Sequence, residues 1–119
     1  MTTIISYTDI PRSKKLAEIL PLESADMCWQ YQKDRWVGEP DYEEFPQFEH
    51  ATDKRDIPCW SLAALLGVLP KIINNETLFI ETSAALWHIG YRNIYTARAD
   101  NPIDACYELI LKLNELNLL

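Results

Sequence analysis

The chain has 119 residues, of which 48% are hydrophobic and 24% are charged, and its formal net charge is -7. This length supports one domain with a buried core and excludes a multi-domain enzyme. The composition is typical of a globular protein rather than of a disordered tail. The excess of carboxylates disfavours non-specific binding of duplex DNA, which depends on clustered Lys and Arg side chains.

A short helix is predicted over residues 12–20, because its apolar side chains recur at i, i+3 and i+4 and so share one face. Pro21 ends this helix. Residues 28–32 alternate apolar and polar side chains, which predicts a short strand.

A long loop is predicted at about residues 34–56, where prolines interrupt the chain. It carries five crowded carboxylates without a Lys or Arg between them: Glu39, Asp41, Glu43, Glu44 and Glu49. Four aromatic residues stand among these acids: Trp36, Tyr42, Phe45 and Phe48. A disordered linker would be poor in aromatic residues, so we expect an irregular loop that its rings hold to the body of the protein.

These four rings are the candidate interaction surface, because protein interfaces use aromatic anchors with a polar rim. The alternative is that the tryptophans, which are Trp29, Trp36, Trp60 and Trp87, belong to the core or its edge.

A second helix is predicted over residues 62–69, with Ser61 as its N-cap. This segment has no charged side chain, so we expect it to be buried on most sides or to cover an interface. Three strands should follow within residues 77–98 as an antiparallel meander, with Ser83 and Gly90 near the turns.

The last helix carries the strongest local signal. Asn101 can cap it, Pro102 fits its first position and Asp104 places a negative charge in its first turn. Its predicted apolar stripe consists of Cys106, Leu109, Ile110, Leu113 and Leu116. Together the elements predict one two-layer α+β domain over residues 1–119, with an antiparallel sheet of about three to four strands and helices packed on one face.

Catalytic and metal chemistry find little support in the sequence. Cys28, Cys59 and Cys106 have apolar or aromatic neighbours and are interpreted as core residues. A small hydrolase built on Cys59 and His88 is kept as a remote alternative. Closely spaced metal ligands and a glycine-rich phosphate loop are both missing, so we expect no cofactor.

The N-terminus lacks the pattern of a signal peptide, and no apolar run approaches the roughly 20 residues that span a bilayer. With unpaired cysteines, these features predict a cytoplasmic protein that does not enter membranes.

Three stretches resemble a group of short uncharacterised proteins encoded by gut Bacteroidales, their phages and their mobile elements. The stretches are SKKLAEILPLESADM from Ser13, IPCWSLAALLGVLP from Ile57 and DNPIDACYELILKLNELNLL from Asp100. The resemblance implies a setting rather than an activity: a small cytoplasmic accessory protein, of phage origin.

The leading hypothesis is therefore a non-enzymatic interaction module that binds a protein partner, with a homodimer left open. The alternative from another class is a nucleic-acid-associated regulator. Its candidate contacts are Arg12, Lys14, Lys15, Lys54 and Arg55.

Overall fold

Tyr7–Ala64 forms one unit of the fold in the computed structural model, which describes residues 6–119. Leu65–Leu119, together with Ser6, forms the other unit. Both units combine helix with antiparallel strands, so the predicted α+β class is confirmed.

The first helix, α1, spans Ile10–Ala17. It begins two residues before the predicted range of 12–20, because the Asp9 side chain accepts a hydrogen bond from the backbone N–H of Arg12 at 2.9 Å and so caps the helix. Leu16 is completely buried on its inner face, as the apolar spacing predicts.

A two-stranded ribbon forms the centre of this unit. The strands are β1, Met27–Trp29, and β2, Ile57–Cys59, and they pair antiparallel with Met27 opposite Cys59. Their inward side chains form a small core cluster of Met27, Trp29, Ile57 and Cys59, against which Tyr7, Ile10 and Tyr42 pack. The strand predicted over residues 28–32 is shorter than expected, because beyond Trp29 the backbone bonds to the following loop instead of to β2.

The second helix, α2, spans Leu62–Val68, close to the predicted range. The Ser61 hydroxyl accepts a hydrogen bond from the backbone N–H of Ala64 at 3.2 Å, which confirms Ser61 as the capping residue. The prediction of burial on most sides holds only in part: Leu65 is buried and four residues are half-buried, whereas Ala63 and Gly67 are exposed. Small residues expose little apolar surface, so an uncharged helix does not require a buried outer face.

The second unit contains a four-stranded antiparallel sheet in the order β3–β4–β5–β6. The strands are β3 (Ile72–Ile73), β4 (Glu76–Ser83), β5 (Leu86–Tyr91) and β6 (Tyr95–Ala99). This is the predicted meander with one short strand added at its edge. The last helix, α3, packs against β5 and β6 on one face of this sheet.

The turns of the sheet match the prediction at one end and contradict it at the other. Ala84 and Ala85 form the turn after Ser83, with φ values of 52° and 63°. Gly90 is not a turn residue, because it lies within β5 and pairs with Thr96. A Cβ atom on Gly90 would lie 2.3 Å from the carbonyl oxygen of Tyr95, so a glycine is needed for this close approach.

Helix α3 spans Pro102–Glu115 and follows its prediction closely. The Asn101 side chain accepts a hydrogen bond from the backbone N–H of Asp104 at 2.9 Å. The predicted stripe is buried at Cys106, Leu109, Ile110 and Leu113. Leu116 is 42% exposed because the helix ends there. Within residues 6–119, no helix has both the length and the apolar character needed to cross a membrane.

Candidate interaction surface

Residues 34–56, called the acidic loop below, contain no helix or regular strand. Backbone hydrogen bonds nevertheless fix their course. Gln47 exchanges two such bonds with Cys28, at 2.8 and 2.9 Å, and so extends the ribbon on the outer side of β1. The backbone N–H of Gln32 also donates to Asp41, and that of Glu43 donates to Gln30. The loop is irregular, as the sequence predicts, but these backbone hydrogen bonds hold it rather than a set of buried rings.

Tyr42 is the aromatic residue that attaches the acidic loop to the core. Its half-buried ring packs against the core cluster and lies edge-on to Tyr31, with 5.7 Å between ring centroids. Its hydroxyl donates to the backbone carbonyl of Arg55 at 2.8 Å. Burial, followed by the nearby charge of Asp41, raises the pKa of the Tyr42 hydroxyl. Of the four predicted surface rings, Tyr42 therefore has a structural position.

The other three rings of the predicted set face outward. The exposed fractions are 78% for Trp36, 59% for Phe45 and 75% for Phe48. The alternative that the tryptophans are core residues holds for Trp29 and Trp60, which are 7% and 0% exposed. It is wrong for Trp36. Exposed aromatic side chains of this size are among the residues that contribute most to binding at protein interfaces.

The loop that carries these rings is strongly acidic. The acidic loop has eight carboxylates and only three Lys or Arg side chains. Both of its arginines are already paired, Arg35 with Asp41 at 2.9 Å and Arg55 with Asp53 at 3.1 Å. Within residues 6–119, no Lys or Arg forms an ion pair with any of three further acids of the loop: Glu43, Glu44 and Glu49.

Asp56 fixes the end of the acidic loop. Its carboxylate accepts backbone N–H groups from Tyr31 at 2.8 Å, Thr52 at 3.1 Å and Asp53 at 3.0 Å. Burial alone would raise the pKa of Asp56, but these three donors together lower it below its usual value. The charge of Asp56 is thus used internally and is not available to a partner.

The acidic loop borders two recesses. Trp36 borders an open, polar groove of about 400 Å³, which residues 31–35, Glu39 and Glu43 complete. A separate pocket of about 230 Å³ lies where the acidic loop ends. Its apolar lining is formed by Leu22, Ala25, Met27, Ala51 and Pro58. Sequence reasoning missed this pocket, because three distant segments form it and none carries a recognisable motif.

The cysteines have the buried positions that the sequence predicts. All three are free and buried. Burial, the largest cause, raises the pKa of Cys28 to about 11 and that of Cys106 to about 12. Burial also raises the pKa of Cys59, whose thiol donates to the backbone carbonyl of Thr8 at 3.3 Å. A nucleophilic cysteine requires a depressed pKa and access to solvent, so Cys59 lacks both properties.

His88 lies within hydrogen-bond distance of a serine hydroxyl, as in a catalytic dyad. The direction of the hydrogen bond, however, is the opposite of the one that catalysis requires. One ring nitrogen, Nε2, lies 3.0 Å from the Ser83 hydroxyl, and the other, Nδ1, accepts the Nε–H of Arg98 at 3.2 Å. Because Nδ1 accepts, the proton of the neutral ring is on Nε2 and points to Ser83. His88 therefore donates to Ser83 and cannot remove its proton.

The candidate nucleic-acid contacts do not form a free basic patch. Three of the five side chains are paired with carboxylates: Arg12 with Asp9, Lys15 with Glu18 and Arg55 with Asp53. Such pairing neutralises the charge that would otherwise bind phosphate groups.

No group of three His, Cys, Asp or Glu side chains within the described residues 6–119 is placed to hold a metal ion. Comparison of the chain with protein-family models, with curated proteins and with solved structures finds no match.

Proposed function

We propose that the protein is a non-enzymatic interaction module that binds a protein partner through its acidic loop. The observation that carries this proposal is the outward orientation of Trp36, Phe45 and Phe48 on a loop that backbone hydrogen bonds hold in place. Burying such rings against a partner would remove a large apolar area from water, which is the main source of binding energy at protein interfaces.

The fixed course of the loop supports the same function. Association is opposed by the entropy lost when mobile segments become ordered. The Gln47–Cys28 pairing, the Tyr42 anchor and the Asp56 carboxylate order the acidic loop before any partner arrives. Less of the binding energy is then consumed by ordering, so a small surface can bind with useful affinity.

The charge of the loop indicates the chemistry of the partner. Glu43 and Glu44, which pair with no Lys or Arg in the part of the chain that the structure describes, lie beside the exposed rings in the sequence. A basic surface would be attracted to them, whereas an acidic surface would be repelled. The partner in this proposal is therefore a basic protein surface with apolar side chains. Its setting is the cytoplasm of a gut bacterium that carries a phage or mobile element, as the sequence resemblance implies.

The test is capture from host lysate with tagged protein, with and without nuclease, followed by mass spectrometry and absorbance. The wild-type chain should retain a stoichiometric protein after nuclease treatment. The double variant Trp36→Ala, Phe45→Ala should lose it while its denaturation midpoint stays unchanged, because both rings are exposed. Ile72→Ala is the matched control, since Ile72 is 63% exposed on β3, outside the acidic loop, and its removal should not affect capture.

Two outcomes would contradict the proposal. An empty eluate from the wild-type chain would leave it without a partner. A nucleic-acid absorbance that nuclease removes would favour the nucleic-acid-associated regulator instead, and binding should then weaken steeply with salt.

A further inference from the structure

The apolar pocket at the end of the acidic loop has walls from three parts of the chain. The 3-10 turn Leu22–Ser24 contributes one side and the end of the acidic loop contributes another. Met27 of β1 and Pro58 of β2 complete the lining from the ribbon. The walls are mainly apolar, yet the pocket is open to solvent rather than sealed within the core.

The size of the pocket limits what it can hold. Its volume is about 230 Å³. Pockets for whole cofactors or drug-sized ligands usually measure about 300–1,000 Å³, so this one is too small for them. A cavity of about 150 Å³ already accommodates a benzene ring, so one leucine or methionine side chain fits within the available space.

The rim of the pocket adds a second constraint. The exposed residues Glu23 and His50 border it, and Glu49 precedes His50 in the chain. Within residues 6–119, Glu23 forms no ion pair with a Lys or Arg, whereas the Glu49 carboxylate accepts a hydrogen bond from the side-chain amide of Gln30. An apolar floor with a carboxylate at the rim is complementary to an apolar side chain that has a cation beside it.

We infer that this pocket binds a single leucine or methionine side chain from a basic segment of the partner protein, with a flanking Lys or Arg residue close to Glu23. The inference rests on the proposed interaction function and adds a second contact point beyond the exposed rings. A side chain that is desolvated in a pocket and surrounded by a polar rim is a common arrangement at protein interfaces.

Labelled methionine methyl groups provide a direct test, because the chain has only two methionines and Met27 lines the pocket. Three capped pentapeptides serve as probes: Lys-Lys-Leu-Lys-Lys, Lys-Lys-Ser-Lys-Lys and Glu-Glu-Leu-Glu-Glu. The first should shift the Met27 methyl resonance and bind at least about tenfold more tightly than the serine peptide, since burial of a leucine side chain is worth at least that factor. The acidic peptide should leave the resonance unchanged.

Variants locate the binding. Ala51→Leu should fill the pocket and abolish the Met27 shift, with an unchanged denaturation midpoint because Ala51 is exposed. Ala63→Leu is the matched control: Ala63 is exposed on α2 and does not line the pocket, so binding should persist. Glu23→Gln should weaken the cationic leucine peptide severalfold and reduce its dependence on salt.

The inference is overturned if no probe shifts Met27 at millimolar concentration, or if the leucine and serine peptides bind equally. It can also fail separately from the proposed function. A captured protein partner that Trp36→Ala, Phe45→Ala loses but Ala51→Leu retains would support the exposed rings and exclude the pocket. The opposite pattern would support the pocket and exclude the rings.

Discussion

The hydroxyl of Tyr42 donates a hydrogen bond to the backbone carbonyl of Arg55 and thereby joins the middle of the acidic loop to its end. Tyr42→Phe removes this bond and keeps the ring against the core cluster. We expect the free energy of unfolding to fall by about 0.5–1 kcal/mol, the usual net value of such a bond near the surface. Urea denaturation measures this change. A loss of several kcal/mol would mean that the bond supports more of the fold than its partly exposed position suggests.

Two glycine-to-alanine substitutions should have opposite effects. Gly90→Ala places a Cβ atom 2.3 Å from the Tyr95 carbonyl oxygen and 2.5 Å from the Thr96 Cα, and both are backbone atoms that cannot easily move. We expect a destabilisation of about 3 kcal/mol or more, as for a severely overpacked site. Gly67→Ala meets no atom within 4 Å in α2 and should stabilise the protein by about 0.5–1 kcal/mol. Thermal denaturation of the two variants should therefore move the midpoint in opposite directions.

The stripe of α3 allows a matched test of burial. Leu109 is completely buried whereas Leu116 is 42% exposed. Leu109→Ala should cost about 2–5 kcal/mol because it leaves a cavity in the core. Leu116→Ala should cost clearly less, about 1 kcal/mol or below, since water can occupy the vacated space. Equal midpoints for the two variants in denaturant would contradict the assigned role of the stripe.

The buried thiols should make stability depend on alkaline pH. In the folded chain the pKa is about 11 for Cys28 and about 12 for Cys106, against 9.0 for a free thiol. Above pH 9 the unfolded chain therefore binds fewer protons than the folded chain, and the free energy of unfolding falls as pH rises toward 11. Denaturation at pH 8, 9 and 10 should show this decline.

The same burial predicts slow chemical modification. Near pH 8, a thiol reagent should react with the native protein far more slowly than with the protein in denaturant. Rapid reaction of Cys59 in the native state would revive the hydrolase alternative.

Asp56 should make stability depend on acidic pH. Its pKa is lowered by the three backbone donors, so its stabilisation is present above the pKa of the unfolded side chain, near 3.8, and is lost as pH falls below that value. Asp56→Asn should cost about 1–2 kcal/mol at pH 7 and flatten the decline below pH 4. Asp34→Asn is the control, because the side chain of Asp34 is exposed and forms no hydrogen bond or ion pair with residues 6–119. If the free energy of unfolding of the two variants depended on acidic pH in the same way, the assigned role of Asp56 would be contradicted.

Elements that are determined by neighbouring residues could be predicted from the sequence. Helix α3 follows from its Asn101 cap and its stripe, because both features act within a few residues along the chain. The position of Gly90 could not be predicted in the same way. A glycine in a turn and a glycine within a strand look alike in sequence, and only the pairing of Gly90 with Thr96 of the neighbouring strand distinguishes them.

For the candidate surface, too, the features that depend on neighbouring residues were predictable and those that depend on long-range contacts were not. Composition indicated an ordered loop rich in rings, yet it could not tell which ring faces inward. Tyr42 packs on the core because Gln32 and Gln30 bond to the residues beside it, and these contacts join distant parts of the chain. The pocket was not predictable for the same reason, since Met27, Ala51 and Pro58 meet only after folding.

The turn between β4 and β5 has a consequence for the order of folding. Ala84 and Ala85 both hold positive φ values, a conformation that costs about 1–2 kcal/mol for each residue with a Cβ atom. Asn93, in the turn between β5 and β6, has the same sign of φ but belongs to a residue type that tolerates it. We therefore expect β5 and β6 to pair first, and β4 to join a surface that is already formed. The sheet would then assemble from its C-terminal edge, with the alanine turn closed last by the packing of the strands it connects.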